Sequence, residues 1–156
     1  MLRRQLSYAI LGFAAGLLPA SRPLWAGDKP TQDDARRIAL KAAALVKDKG
    51  LDAARSAFDT DGEFKFGEIY VNVISDKGVR LIYPPAPAGE NVDALDAQDV
   101  DGKYLVKDII DLAKTKGEGW TQYRWTNPQT RKIAEKKTFV KDVPERGVIV
   151  YVGVYE

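Results

Sequence analysis

The side chains best suited to hold a small molecule in this sequence are polar-tipped aromatic rings and a pair of adjacent lysines. In the stretch from Gly119 to Trp125, strand alternation puts Thr121, Tyr123 and Trp125 on one face and Trp120, Gln122 and Arg124 on the other. Near the C-terminus Ile149, Tyr151, Gly153 and Tyr155 share a face, and Gly153 leaves space where a side chain would stand. Rings of this kind along one side of a curved sheet suit a ligand cavity, because each supplies apolar wall and one hydrogen-bonding group. An ordinary core whose tyrosine hydroxyls reach the surface has the same pattern, and the spacing leaves both readings open. Lys136 and Lys137 lie in the middle of the strand-like run from Ile133 to Val140, so alternation sends them to opposite faces. An inward lysine among tyrosines would be a counter-ion for a carboxylate, whereas two solvated lysines would guard a strand edge against aggregation.

Other chemistries find little support. The chain has no Cys and no His, and its single Met is Met1. The usual side-chain ligands for zinc, copper and haem iron are therefore missing, as are a Ser-His pair and a thiol nucleophile. Asp and Glu are plentiful, but no spacing picks out an acid/base pair, and neither a glycine-rich phosphate loop nor a G-x-S-x-G elbow occurs. No catalytic activity, cofactor or metal is expected. Two Asp-x-Asp-Gly segments, Asp59 to Gly62 and Asp99 to Gly102, invite a calcium reading. Ala57 and Ala97 occupy the positions of the first ligand carboxylate, so turn and helix-start chemistry explains both segments better.

The elements that must position these residues follow an N-terminal segment of another kind. Arg3 and Arg4 precede an uncharged stretch from Gln5 to Ser21, and Leu24-Trp25-Ala26 follows. This is the pattern of a secretory signal peptide over residues 1–26, cut after Ala26, with either the general or the twin-arginine export route open. Its apolar run is too short for a spanning helix. The full chain carries 24 basic and 22 acidic residues. Loss of Arg3, Arg4 and Arg22 leaves 21 against 22, a net charge of −1. No basic surplus remains to recruit nucleic acid, and the expected location is periplasmic or secreted.

Residues 27–32 read as a leader. Thr31 to Asp34 offers a helix N-cap, and Ala35, Ile38, Ala39, Ala42, Leu45 and Val46 recur at helical spacing up to Gly50. A shorter helical segment spans Leu51 to Phe58. The period then changes to two: Ile69 to Ile74, the turn Ser75 to Gly78, and Val79 to Tyr83 predict a hairpin. With Ile74 facing Val79, the register sets Asn72 opposite Leu81 and Tyr70 opposite Tyr83. After a proline-rich stop comes a helix bearing Leu105, Val106, Ile109 and Ile110, closed by Gly117. Three strands, Gly119 to Thr126, Ile133 to Asp142 and Val148 to Tyr155, complete an antiparallel meander. The expected class is α+β, with an antiparallel sheet of about five strands, a long N-terminal helix and an inserted helix.

The run Tyr70-Val71-Asn72-Val73 … Asp76-Lys77-Gly78 … Tyr83-Pro84, with Gly89-Glu90-Asn91, Asp99-Val100-Asp101-Gly102-Lys103, Gly119-Trp120 … Tyr123 … Trp125 … Asn127-Pro128, Lys136 … Phe139-Val140 and Gly153-Val154-Tyr155, resembles a single Cache domain from about residue 33 to the C-terminus. The resemblance implies a PAS-like sheet behind a long helix and extracytoplasmic sensing of small molecules, among them organic acids and amino acids. It also places Tyr70, Tyr123, Trp125 and Lys136 in or near the ligand cavity. Tyr83-Pro84 stands where the family often has His-Pro, which removes a titratable donor. Together with the strand pattern, the expected ligand-binding set is Tyr70, Tyr83, Tyr123, Trp125, Lys136 and Tyr151, for a small organic ligand such as a short carboxylate. A stand-alone exported domain is expected, since nothing follows Glu156. The alternative is an interaction module whose Ile38/Ala42/Leu45 stripe packs on a membrane-bound sensor or a second copy, without a ligand.

Overall fold

The computed structural model describes residues 29–156, so the proposed signal peptide lies outside the described residues. The first helix, α1 (Gln32–Lys49), starts where the sequence pattern sets it. Thr31 Oγ1 accepts the Asp34 amide at 3.2 Å while the Thr31 amide donates to Asp34 Oδ2 at 3.0 Å, a reciprocal cap that satisfies two otherwise orphaned donors. Gly50 ends the helix with φ of 83°, and its amide donates to the Val46 carbonyl. Helix α2 (Leu51–Asp59) follows and buries Ala54 and Phe58.

Six strands lie among the described residues: β1 (Lys65–Phe66), β2 (Ile69–Ser75), β3 (Arg80–Ile82), β4 (Glu118–Thr126), β5 (Ile133–Val143) and β6 (Val148–Tyr155). All pairings are antiparallel, in the order β1-β2-β6-β5-β4, with β3 pairing β2 off this path. The five strands expected from alternation are present. The additional one, β1, is a two-residue pairing too short to leave a periodic signal. The third helix, α3 (Leu105–Lys116), is inserted between β3 and β4 and is closed by Gly117.

Alternation along the sheet separates two cores. Val71, Val73, Val150, Val152, Val154, Phe139 and Val143 face α1, whose Ile38, Ala39, Ala42 and Val46 are fully buried against them. Ile38 and Ala42 of the alanine-rich stripe therefore cover the protein's own sheet, with Leu45 partly buried beside them. The opposite face presents Ile74, Tyr123, Val140, Ile149 and Tyr151 to Leu105, Val106, Ile109 and Ala113 of α3.

The first hairpin departs from its expected register. Ile74 pairs with Arg80 rather than Val79, Val73 pairs with Ile82, and the register shifts between them. Tyr70 pairs with Lys65 and Asn72 with Tyr151. Ser75 explains the slip, since its hydroxyl accepts the amides of Lys77 and Val79 and its own amide donates to the Val79 carbonyl, adding a residue to the turn. A one-residue change of register reverses which side chains face which core.

The second Asp-x-Asp-Gly segment clamps an edge. Asp99 Oδ1 accepts the amides of Asp101 and Lys103, both at 2.9 Å, and Oδ2 accepts the Arg124 amide of β4 at 3.1 Å. Lys103 Nζ donates to the Gln122 carbonyl on the same strand. The outer edge of β4 is thus covered rather than left open to another chain. Among the described residues no cluster of acidic side chains has the arrangement of a metal site.

Candidate functional site

The cavity lies between the α3-facing side of the sheet and the start of α3. From β2 come Tyr70 and Asn72, two residues apart on one face, and β4 contributes Tyr123 and Trp125 at the same spacing. Lys136 projects from β5, Tyr151 from β6, and Leu105 and Val106 close the apolar side. Arg80 and Tyr83 complete the lining. The slipped register turns Arg80 to this face. Its backbone is pinned to the segment at Asn91 and Val92, because Arg80 N donates to the Val92 carbonyl and its own carbonyl accepts the Asn91 amide at 2.7 Å.

Lys136 is the centre of the site and is 1% exposed. Its Nζ donates to Tyr70 Oη at 2.6 Å and lies 4.1 Å from the Tyr70 ring centroid and 4.9 Å from that of Tyr155. These ring faces stabilise the ammonium without neutralising it. Lys136 forms no ion pair among the described residues, and burial, only partly offset by the attraction of Glu68, pulls its pKa down to about 7. Glu68 itself is held elsewhere, accepting the Tyr155 amide at 3.0 Å and Asn127 Nδ2 at 3.1 Å. Burial pushes the phenols of Tyr70 and Tyr123 well above their ordinary range and that of Tyr155 up to about 12, so all three remain neutral hydroxyls.

Gly153 makes this lysine possible. A Cβ at position 153 would stand 2.5 Å from Lys136 Cε and 2.5 Å from Thr138 Oγ1. The gap anticipated from the sequence is filled by the aliphatic stem of Lys136. Further out, Trp125 Nε1 donates to Tyr83 Oη at 3.3 Å, and the Arg80 guanidinium lies 5.0 Å from the Tyr83 ring centroid. Those three residues are partly exposed, whereas Tyr70, Asn72, Tyr123, Lys136 and Tyr151 are buried. The cavity has room for little more than one water molecule, about 20 Å³, so a ligand of several heavy atoms requires the outer group of Arg80, Tyr83 and Trp125 to move.

Tyr70, Tyr83, Tyr123, Trp125, Lys136 and Tyr151, the residues singled out in the sequence, all line this one cavity. Arg80, Asn72, Leu105 and Val106 were not singled out. An arginine between Val79 and Leu81 in a strand beside the aromatic pattern was a usable signal for Arg80, but the expected register turned it the wrong way. The lining holds two basic side chains, Lys136 and Arg80, and no acidic residue, so its local electrostatic potential favours negative charge.

The model of the family "Single Cache domain 2" matches residues 24–156. The chain belongs to the single Cache domain family. Relatives of this Cache domain include the sensor histidine kinase MctS of Rhizobium johnstonii, 30% identical over 82% of the chain and 24% of that protein. Another is the methyl-accepting chemotaxis protein McpP of Pseudomonas putida, 25% identical over 91% of the chain and 23% of that protein. The chain thus spans about a quarter of the length of these relatives. Among solved structures it resembles a methyl-accepting chemotaxis protein of Vibrio parahaemolyticus, with TM-score 0.66 and 17% identity over 76% of this chain and 82% of the other. It also resembles a Cache chemosensory domain described for carboxylic acid recognition, with TM-score 0.62 and 22% identity over 79% of this chain and 86% of the other. These likenesses establish the α+β Cache fold with its antiparallel sheet. Among the described residues no helix is long and apolar enough to cross a membrane.

Proposed function

We propose that this Cache domain works outside the cytoplasm as a sensor module that binds a short organic carboxylate, with Lys136 as the anchoring cation. The observation that carries this reading is a fully buried lysine in a small aromatic-lined cavity whose lining has a second cation and no acid. A buried ammonium without a counter-ion is costly, and a ligand carboxylate removes that cost through a charge-assisted hydrogen bond. Tyr70 completes the polar end, while Trp125, Tyr123, Leu105 and Val106 enclose the remainder, Tyr151 adds a buried hydroxyl and Tyr83 one at the rim. The solved Cache domain described for carboxylic acid recognition supports the same ligand class. Export through cleavage after Ala26 would deliver residues 27–156 to the periplasm, in keeping with another fold neighbour described as a periplasmic sensor domain. In the kinase and chemotaxis relatives the matching segment is about a quarter of a longer signalling protein, in keeping with a sensor role for this domain.

Thermal-shift screening of the purified protein against a panel of short organic acids, followed by titration calorimetry, tests this. At least one acid raises the melting temperature, and Lys136→Met weakens its binding by about 2–5 kcal/mol. A panel without effect, or a hit that binds Lys136→Met as tightly as the parent, overturns the assignment.

A further inference from the structure

Asn72 is 1% exposed and lines the same cavity, yet its side chain is only half satisfied. Nδ2 donates to the Tyr151 carbonyl of the neighbouring strand at 3.4 Å, and Oδ1 is buried with no hydrogen-bond partner among the protein atoms. The backbone carbonyl fixes the amide's orientation. Turning the side chain over would set two acceptors against each other and leave the donor unpaired instead. Three polar functions therefore lie in order along β2 among the residues that line the cavity: the ammonium of Lys136 at Tyr70, the buried acceptor of Asn72, and the guanidinium of Arg80 opposite Ile74.

A buried acceptor beside an anion site distinguishes ligands that otherwise look alike. An unsubstituted acid places a methylene against Oδ1 and leaves it unpaired, and a 2-oxo acid brings a second acceptor to it. A 2-amino acid supplies donors, but on an ammonium that must enter a space already holding two cations and no carboxylate. A hydroxyl supplies a neutral donor of the right size for a small cavity.

Building on the carboxylate reading above, we infer that the preferred ligand is a short 2-hydroxy acid whose carboxylate sits on Lys136 and whose hydroxyl donates to Asn72 Oδ1. Sites built to accept a ligand hydroxyl discriminate strongly against analogues lacking it, because the partner group is then stranded.

Titration calorimetry of the purified protein with lactate, glycolate, propionate, pyruvate and alanine at one pH and ionic strength tests the inference. At least one of the two hydroxy acids binds tenfold or more tightly than propionate, pyruvate and alanine, and in Asn72→Leu this advantage over propionate disappears. If propionate, pyruvate or alanine binds as tightly as the better hydroxy acid, or the hydroxy-acid advantage survives in Asn72→Leu, the Asn72 assignment is wrong while the carboxylate reading stands. Absence of binding by every acid overturns both. Should Asn72→Leu fail to fold, the ranking in the parent protein decides alone.

Discussion

At the scale of single residues, Lys136 sets two pH dependences of opposite sign. Its folded pKa of about 7 lies below the 10.5 of an unperturbed lysine, because burial disfavours the ammonium. Between pH 7 and pH 10 the unfolded chain thus holds a proton that the folded chain does not. Stability from this group rises with pH across that window and is lowest below pH 7. Above pH 10 the buried tyrosines act the other way, since they stay protonated in the folded state. Carboxylate binding needs the ammonium, so affinity falls as pH rises past 7. Chemical denaturation and calorimetry at pH 6, 7, 8 and 9 should show rising stability beside falling affinity, and an affinity independent of pH would remove Lys136 as the anchor. Lys136→Met separates the two roles further: with no ion pair to break, it should stabilise the fold by about 1–4 kcal/mol while losing the ligand. A variant that melts below the parent contradicts that account. The lysine and its tyrosines were legible in the sequence because strand alternation fixes the face of every residue once one is known. Asn72 and Arg80 were not: the unpaired amide oxygen of Asn72 depends on its tertiary neighbours, and the direction of the Arg80 guanidinium depends on a turn that side-chain hydrogen bonding lengthened.

At the scale of elements, β5 and β6 form one device. Thr138 pairs with Gly153, and the missing side chain at 153 is the channel through which Lys136 reaches Tyr70. In Gly153→Ala the new methyl group meets Lys136 Cε, Thr138 Oγ1 and, at 3.0 Å, the Lys137 carbonyl. The first is a flexible chain and can move, whereas the other two are fixed close to the strand. Destabilisation of about 1–3 kcal/mol is expected from such overpacking, with loss of carboxylate binding as the ammonium is displaced. Adding Lys136→Ala to Gly153→Ala should cost less stability than the separate effects predict, because the two side chains compete for one space. Additive changes in denaturation midpoints would show that they do not. Helices and long strands were visible from periodicity and caps, as the reciprocal Thr31–Asp34 cap illustrates. The two-residue β1 and the register of β3 depend on tertiary pairing and leave no period of their own.

At the scale of the whole molecule, one sheet carries two cores with different tasks. On the α1 side the alanines pack on the valine face, and the basic residues Arg36, Lys41 and Lys47 on the outer surface of the helix pair with Glu118, Glu63 and Glu145. The α3 side contains the cavity and is bordered by the irregular segment between β3 and α3. Arg55 of α2 ties that segment down by bonding both Glu90 and the Leu81 carbonyl, and Glu90 in turn accepts the Tyr83 amide. Since Tyr83 and Arg80 must shift to admit a ligand, binding should tighten the α3 side and leave α1 largely as it is. A carboxylate at a hundred times its dissociation constant adds about 2.7 kcal/mol of stability, which for a domain of this length raises the melting temperature by roughly 5–10 °C. Hydrogen exchange should then show new protection in β2, β3, the segment up to Lys103 and the first turn of α3, with little change in α1. Protection gained first or mainly in α1 would mean that the ligand is held on the other side of the sheet, and the cavity around Lys136 would no longer account for binding.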